Sequence, residues 1–87
     1  MLTIKVLGPG CANCQKVEVV TKKAVNEMGM QAEVIKVTDY TEIMEFRIIS
    51  TPGLVINEKL VCAGRIPTQG EVTSWLADAM MEAPEEI

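Results

Sequence analysis

A chain of 87 residues with a net charge of −4 and no histidine excludes several classes of function. The length suits one domain with its own core, and a hydrophobic fraction of 48% is ordinary for a globular protein. No cluster of basic side chains could neutralise phosphates, which argues against nucleic-acid binding. The lack of histidine removes the common zinc sites and every Ser-His or Cys-His catalytic pair.

The same features predict the cellular setting. No apolar run is long enough to span a bilayer, and the first residues do not show the pattern of a signal peptide. Three cysteines are too few for a secreted disulfide framework. We therefore expect a cytoplasmic monomer without membrane contact, made of one domain over residues 1–87. A frayed tail is expected from about residue 82.

The first part of the chain predicts a strand, a long helix and a second strand. The apolar run Leu2–Leu7 predicts the first strand, which the loop Gly8-Pro9-Gly10 ends. A helix is expected over 12–28, and a second strand, buried on both faces, over Ala32–Val37. The apolar stripe that predicts the helix consists of Val17, Val20, Ala24 and Met28.

A second, short helix and a third strand follow. Asp39 with Glu42 three residues later is the pattern of a capping box, which opens a helix over 40–47. The connection after this helix ends at Pro52, and the apolar run Leu54–Asn57 predicts the third strand.

The last part of the chain predicts a hairpin strand and a third helix. A tight turn at 57–59 leads into an antiparallel fourth strand over 60–63. A second capping box, Thr68-Gln69-Gly70-Glu71, opens the last helix. Its apolar positions follow the spacing of a helix that packs on a sheet, and they are Val72, Trp75, Leu76, Ala79 and Met80.

The predicted order is strand, helix, strand, helix, strand, strand, helix, which defines an α/β fold. Right-handed crossover connections place the first two strands parallel, so we expect a four-stranded mixed sheet flanked by helices. The first strand lies centrally in this sheet. Sites of open α/β sheets lie at the carboxyl ends of such strands.

Cys11-Ala12-Asn13-Cys14 stands at that strand end and opens the long helix. Unpaired N–H groups and the helix dipole favour a negative charge there, so a thiolate is stabilised. The two thiols are one helical turn apart, close enough for a disulfide, and Lys16 is near enough in sequence to add a positive charge. The pattern favours a reversible dithiol/disulfide couple, although two cysteines at this spacing could also bind a soft metal.

The strand order, the CxxC pair and a proline just before the third strand together resemble the minimal thioredoxin fold. The chain is similar to small thioredoxin-like redox-active disulfide proteins of glutaredoxin size, and the resemblance covers nearly its whole length. The matching segments are Gly8–Cys14, Ser50–Asn57 and Ala63-Gly64.

The resemblance implies an activity and a set of roles. The chain would be a thiol-disulfide oxidoreductase without a cofactor, in which Cys11 attacks and Cys14 resolves. Its partners would be disulfide-containing proteins, together with a flavoprotein-type thiol reductase or glutathione. Thr51-Pro52 would form a cis peptide against the disulfide. The supporting and docking residues would be Thr51, Pro52, Gly64, Ala12 and Asn13.

The chain departs from ordinary thioredoxins at two positions. Gly10 stands where a tryptophan usually precedes the first cysteine, and Lys5 stands at the spacing of the buried carboxylate of the first strand.

A copper-type metal-binding module is the alternative function. The string Cys-Ala-Asn-Cys before a long helix looks like such domains, but Pro9 stands where they have methionine. Their fold ends on a strand rather than a helix, and they have no counterpart of Ser50-Thr51-Pro52.

Cys62 belongs to an apolar strand, where a small buried hydrophobe is expected. A third redox or metal-binding thiol is the other interpretation of Cys62.

Overall fold

The computed structural model describes residues 2–10, 12–47 and 50–82. The order of elements is the predicted one. The elements are β1 (Leu2–Leu7), α1 (Ala12–Met28), β2 (Ala32–Val37), α2 (Tyr40–Met44), β3 (Gly53–Ile56), β4 (Lys59–Ala63) and α3 (Gln69–Glu82). Cys11, part of the connection before Pro52 and the tail predicted to fray lie outside the described residues, apart from Glu82 at the end of α3.

The four strands form one mixed sheet in the order β2-β1-β3-β4. β1 pairs in parallel with β2 and antiparallel with β3, and β3 pairs antiparallel with β4. The predicted central position of β1 and the predicted four-stranded mixed sheet are therefore confirmed. Within this register Val6 lies opposite Lys36 on one side and Leu54 on the other.

Alternate residues of the central strands face two separate apolar layers, as the pleat requires. One face of the sheet packs against α1 and α3, and the other packs against α2. The main buried residues of the first layer are Leu2, Ile4, Val6, Val17, Ala24, Leu54, Ile56, Val72, Leu76 and Ala79. Those of the second layer are Leu7, Val37, Ile43 and Val55. Because α1 packs on the sheet, the start of α1 is fixed relative to the carboxyl end of β1.

The expectation that the second strand is buried on both faces is wrong. β2 is an edge strand with a single neighbour, and only its last residue, Val37, is buried. Glu33 and Lys36 are exposed. The apolar composition of β2 matched a buried strand, but composition does not determine the position of a strand in the sheet.

The bounds of α2, β3 and β4 differ from the prediction, and β3 (Gly53–Ile56) and β4 (Lys59–Ala63) each begin one residue earlier than expected. α2 ends at Met44 rather than at residue 47, because the chain continues in tight turns whose last residue, Arg47, has a φ of 59°. The β3–β4 hairpin has a two-residue turn, Asn57-Glu58, with φ values of 56° and 69°. Positive φ at both positions is typical of a type I′ turn, whose backbone twist matches the right-handed twist of the two strands.

The starts of α2 and α3, where the sequence predicts capping boxes, are both capped by side chains. The Asp39 side chain accepts a 3.0 Å hydrogen bond from the Thr41 amide at the start of α2. At the start of α3, Thr68 Oγ1 accepts from the Glu71 amide at 3.1 Å, and Glu71 Oε1 accepts from the Thr68 amide at 2.9 Å. The second arrangement is the complete capping box that the sequence predicts. No helix among the described residues is both long and apolar enough to cross a membrane.

Candidate functional site

Cys14 lies in the first turn of α1, directly beyond the carboxyl end of the central strand. Its side chain is buried, with 5% of its surface exposed, whereas Ala12 and Asn13 before it are exposed. A thiol at this position is close to the unpaired N–H groups of the helix start. The first cysteine of the pair, Cys11, is outside the described residues.

Gly8, the first residue after β1, lies against the Cys14 thiol. A Cβ added at Gly8 would overlap Cys14 Sγ, and it would be 3.3 Å from Cys14 Cβ and 3.8 Å from Thr51 Cβ. The Gly8 amide donates a 2.9 Å hydrogen bond to the Val37 carbonyl oxygen, which anchors this loop to β2. Only a residue without a side chain leaves room here for the Cys14 thiol.

The Thr51–Pro52 peptide bond is cis, as the resemblance implies. Pro52 is buried and Thr51 half-buried, and the proline directly precedes β3. The Pro52 carbonyl oxygen accepts a 2.8 Å hydrogen bond from the Gly64 amide. The structure thus places both Cys14 and Thr51 beside Gly8 and links Gly64 to Pro52, although positions 14 and 51 are 37 apart in the numbering.

The segment after Gly64 is held by side chains. The Cys62 thiol donates to the Arg65 carbonyl oxygen at 3.7 Å. The Arg65 guanidinium donates two hydrogen bonds, of 2.9 and 3.0 Å, to the two carboxylate oxygens of Glu71. The hydrogen bonds from Arg65 and then the Thr68 amide lower the pKa of Glu71 to about 2. This segment is therefore attached to the first turn of α3.

Cys62 is a buried thiol with 7% of its surface exposed. Burial raises its pKa, and the positive charge of Arg65 opposes that effect only in part. A protonated, shielded thiol is a poor nucleophile. These observations agree with the interpretation of Cys62 as a small buried hydrophobe.

A small pocket of about 100 Å³ lies beside Cys14. It contains two charged side chains, Glu18 from α1 and Lys36 from β2. Glu18 also binds Lys22, one turn further along α1, at 2.9 Å, while Lys36 Nζ lies 3.7 Å from the other Glu18 oxygen. The pocket lining also includes Val6, Gly8, Gly10, Gln15 and Thr38.

Sequence reasoning selected Lys16 as the nearby cation and did not select Gly8, Glu18 or Lys36. Lys16 is exposed and lines a different groove, between α1 and Ile66. Glu18 could have been found, because it follows Cys14 by four residues and so shares its helix face. Lys36 could not, because it reaches the pocket through the pairing of β1 with β2.

Lys5 also has a definite role in the structure. Its ammonium group pairs with Glu58 at 3.1 Å and lies 5.4 Å from the centre of the Phe46 ring. Val6, the next residue, lines the Cys14 pocket. Adjacent residues of a strand point to opposite faces of the sheet, so Lys5 is directed to the α2 side.

Within residues 2–10, 12–47 and 50–82, no group of three cysteine, aspartate or glutamate side chains could hold a metal ion. The chain also ends its described fold on α3, not on a strand as copper-chaperone-like domains do. The metal-binding alternative gains no support from the described residues.

Comparison with known proteins gives one family. The thioredoxin domain family model matches residues 2–77. The chain is 40% identical over 76 residues to a thioredoxin of Methanocaldococcus jannaschii, covering 87% of each protein. It is 35% identical over 77 residues to a thioredoxin of Methanothermobacter thermautotrophicus, covering 88% of this chain and all of the relative (100%).

Solved structures agree on the fold. A chain from a study of thioredoxin-2, a component of the malaria parasite protein secretion machinery, superimposes with a TM-score of 0.67 at 12% identity. The match covers 90% of this chain and 82% of the other.

The family model matches residues 2–77, and the relatives are 35–40% identical over most of the chain. This protein therefore belongs to the thioredoxin domain family and is a thiol-disulfide oxidoreductase.

Proposed function

We propose that Cys11 and Cys14 are the redox couple of this enzyme and that its substrates are disulfides in partner proteins. The observation that carries the proposal is the placement of Cys14. It is buried in the first turn of α1, against Gly8 and near Thr51-Pro52. In the sequence, Cys11 directly precedes Ala12, the first residue of α1.

The proposed reaction is two consecutive thiol-disulfide exchanges. The Cys11 thiolate attacks one sulfur of a substrate disulfide, and the other substrate sulfur leaves as a thiolate that takes up a proton. Cys14 loses its proton to solvent and attacks the Cys11 sulfur. The bond between Cys11 and the substrate breaks, and the second substrate sulfur is released as a thiol. The substrate gains two electrons and the pair becomes a Cys11–Cys14 disulfide.

Five residues around the pair would bind or support the substrate: Ala12, Asn13, Thr51, Pro52 and Gly64. Ala12, Asn13 and Gly64 are exposed, and Gly64 is hydrogen-bonded to Pro52. An extended substrate segment could pair with the main chain of Thr51 while its sulfur faces Cys11. This mode uses backbone hydrogen bonds, so it would accept substrates of different sequence.

The oxidised enzyme needs a reductant to turn over. We propose a flavoprotein-type thiol reductase, with glutathione as the other source of electrons. We also propose that the protein acts as a cytoplasmic monomer, in a compartment where thiols are kept reduced.

The activity is tested by reduction of insulin disulfides with dithiothreitol as electron donor, followed as turbidity. The unsubstituted protein should accelerate the reaction, and Cys11→Ser should abolish the acceleration. Cys14→Ser should instead accumulate mixed disulfides with the substrate, visible on non-reducing gels. Cys62→Ser is the matched control, because it removes a thiol outside the couple.

A labelling experiment assigns the attacking thiol. Under limiting iodoacetamide at neutral pH, peptide mapping should find the label first on Cys11, since Cys14 is only 5% exposed. Preferential labelling of Cys14 or Cys62 would contradict the proposed roles.

A further inference from the structure

A second, larger groove runs along α1 from its first residue. The described residues that line it are Ala12, Gln15, Lys16, Val19, Val20 and Ile66. We call it the α1 groove, and neither Thr51 nor Pro52 is among these lining residues. Its volume is about 470 Å³, which falls within the range of clefts that bind ligands.

The walls of the α1 groove are held in place by the rest of the fold. Val20 and Ile66 are half-buried and pack against the apolar layer between the sheet and the helices α1 and α3. Ile66 is followed by Pro67, which is buried. It is preceded by Arg65, whose guanidinium donates to both carboxylate oxygens of Glu71. The groove is thus formed before a ligand arrives, so binding orders few protein groups.

The lining of the α1 groove is mainly apolar and open to solvent. Val19 is 52% exposed. A single exposed valine is ordinary on a protein surface, but Val19 shares this groove with Val20 and Ile66. A bulky apolar side chain placed there would remove apolar surface of both partners from water. The groove therefore favours an apolar group of its ligand.

Lys16 gives the α1 groove a positive charge. It is exposed, and it is the one charged side chain among the described residues of the lining. Acidic side chains of the neighbouring segments are bound to other cations, Glu18 to Lys22 and Glu71 to Arg65. An acidic group of the ligand, next to its apolar group, would therefore meet a complementary charge.

The α1 groove is continuous with the proposed substrate site. Ala12 directly follows Cys11 in the sequence, and Gln15 lines both this groove and the pocket of Cys14. Positions 12 and 19 are seven residues apart in α1, which corresponds to roughly 10 Å along the helix axis. An extended chain covers that distance in about three residues. A substrate held at Cys11 thus brings residues near its own cysteine to Val19.

We propose that the α1 groove binds the segment of a substrate protein that flanks the attacked cysteine. It selects a bulky apolar residue about three positions from that cysteine, with an acidic residue next to it. The inference rests on the proposed redox function of Cys11 and Cys14. Val19 contacts the apolar side chain and Lys16 pairs with the acidic one. Both are specificity-determining residues and take no part in the disulfide exchange itself.

The test compares peptide disulfides as substrates of the full chain, with dithiothreitol as electron donor. Each probe is the symmetric disulfide of a glycine- and serine-based peptide with one cysteine. A leucine-glutamate or a serine-serine pair begins about three positions from the cysteine, after it in one set and before it in the other. In one of the two sets, kcat/KM should be about tenfold higher for the leucine-glutamate peptide, because the groove buries most of the leucine. Equal values in both sets would overturn the proposal.

Substitutions at Val19 locate the preference. Val19→Ser should lose most of it and Val19→Ile should keep it. Serine and valine have similar helix propensities, and the ratio of the two rates cancels a general loss of activity. Met80→Ser is the matched control, because Met80 is 47% exposed but lies in the last turn of α3, and it should leave the ratio unchanged. An undiminished preference in Val19→Ser would exclude the α1 groove as the binding site.

A third peptide, with lysine in place of the glutamate, tests the charge. The parent should prefer the glutamate peptide by about threefold at low salt, as expected for an exposed ion pair, and Lys16→Glu should reverse this order. The preference should shrink at about 1 M salt because the charges are screened. A glutamate preference that survives in Lys16→Glu would overturn the role of Lys16.

The outcomes separate this inference from the proposed function. If Cys11 and Cys14 are not the redox couple, Cys11→Ser reduces all the peptides as fast as the parent does. If only the groove assignment is wrong, the parent reduces them at similar rates and Cys11→Ser reduces none. A second copy of the chain is the competing occupant of the groove. A parent dimer that dissociates in Val19→Ser, measured by sedimentation, would overturn the proposal, whereas a monomer in both proteins supports it.

Discussion

The Gly64 amide donates a 2.8 Å hydrogen bond to the carbonyl oxygen of Pro52. This contact connects the end of β4 to the residue that precedes β3. Gly64 has a φ of 82°, and a Cβ added there would lie 2.6 Å from Ser50 Oγ. The position therefore requires glycine for two reasons, its backbone conformation and its closeness to Ser50.

Gly64→Ala should destabilise the fold and weaken activity. The left-handed backbone alone costs about 1–2 kcal/mol in a residue with a Cβ, and the contact with Ser50 adds to this. Urea unfolding measures the loss, and insulin reduction measures the activity. Gly29→Ala is the control, because Gly29 also has a positive φ, of 65°, but a Cβ there meets nothing within 4 Å. An activity loss no larger than that of the control would show that Gly64 has no part in the site.

Gly8→Ala should perturb Cys14 directly. The added methyl group overlaps Cys14 Sγ, so either the thiol or the loop must move, at a cost of about 1–3 kcal/mol in unfolding free energy. The rate of insulin reduction should fall, and the ¹³Cβ NMR chemical shift of Cys14 should change. At Gly70, in the first turn of α3, an added Cβ would make only an ordinary contact, with Thr68 Oγ1 at 4.0 Å. Gly70→Ala should therefore be neutral or stabilising by up to about 1 kcal/mol. Unchanged activity in Gly8→Ala would mean that the thiol adapts freely.

Cys62→Ala should keep insulin reduction within a small factor of the parent. Cys62 is buried in β4, and burial raises its pKa. Loss of the sulfur should cost on the order of 1 kcal/mol or somewhat more. A mass spectrum of the oxidised parent protein should show one disulfide and one free thiol. A main oxidised species with Cys62 bridged to Cys11 or Cys14 would instead indicate a three-thiol mechanism.

Glu71→Gln should lower the thermal midpoint at neutral pH, with an effect that disappears in acid. The folded-state pKa of Glu71 is lowered from 4.5 to about 2 by Arg65 and Thr68. A lowered pKa stabilises the fold above pH 4.5, and this contribution is lost as the pH falls toward 2.

The difference in melting temperature between parent and Glu71→Gln should thus be constant from neutral pH to about pH 5, shrink as the pH falls, and vanish only below the folded-state pKa of about 2. Glutamine can still accept from the Thr68 amide, so the comparison isolates the charge that faces Arg65. Glu27→Gln, on the exposed surface of α1, should show a much smaller difference. A Glu71 effect that does not shrink between neutral pH and about pH 2 would exclude an origin in this ionisation.

Much of the fold could be predicted because its signals are local. The periodicity of α1, the capping box of Thr68 and Glu71 and the loop glycines after β1 each depend on residues that are neighbours in the chain. The parallel arrangement of β1 and β2 follows from the helical crossover that connects them. The wrong expectation for β2 has the opposite origin, since a strand at the edge and a strand in the centre can have the same apolar composition.

The sequence by itself determined the CxxC pair, its place at a helix start and the order of the elements. Only the tertiary structure brought Gly8 against Cys14, joined Gly64 to Pro52 and carried Lys36 into the pocket with Glu18. These contacts join positions that are distant in the chain, and the register of β1 with its neighbours decides them. Register depends on how the hydrophobic pattern of one strand matches that of a neighbouring strand distant in the chain, so the pattern of one strand alone does not determine it.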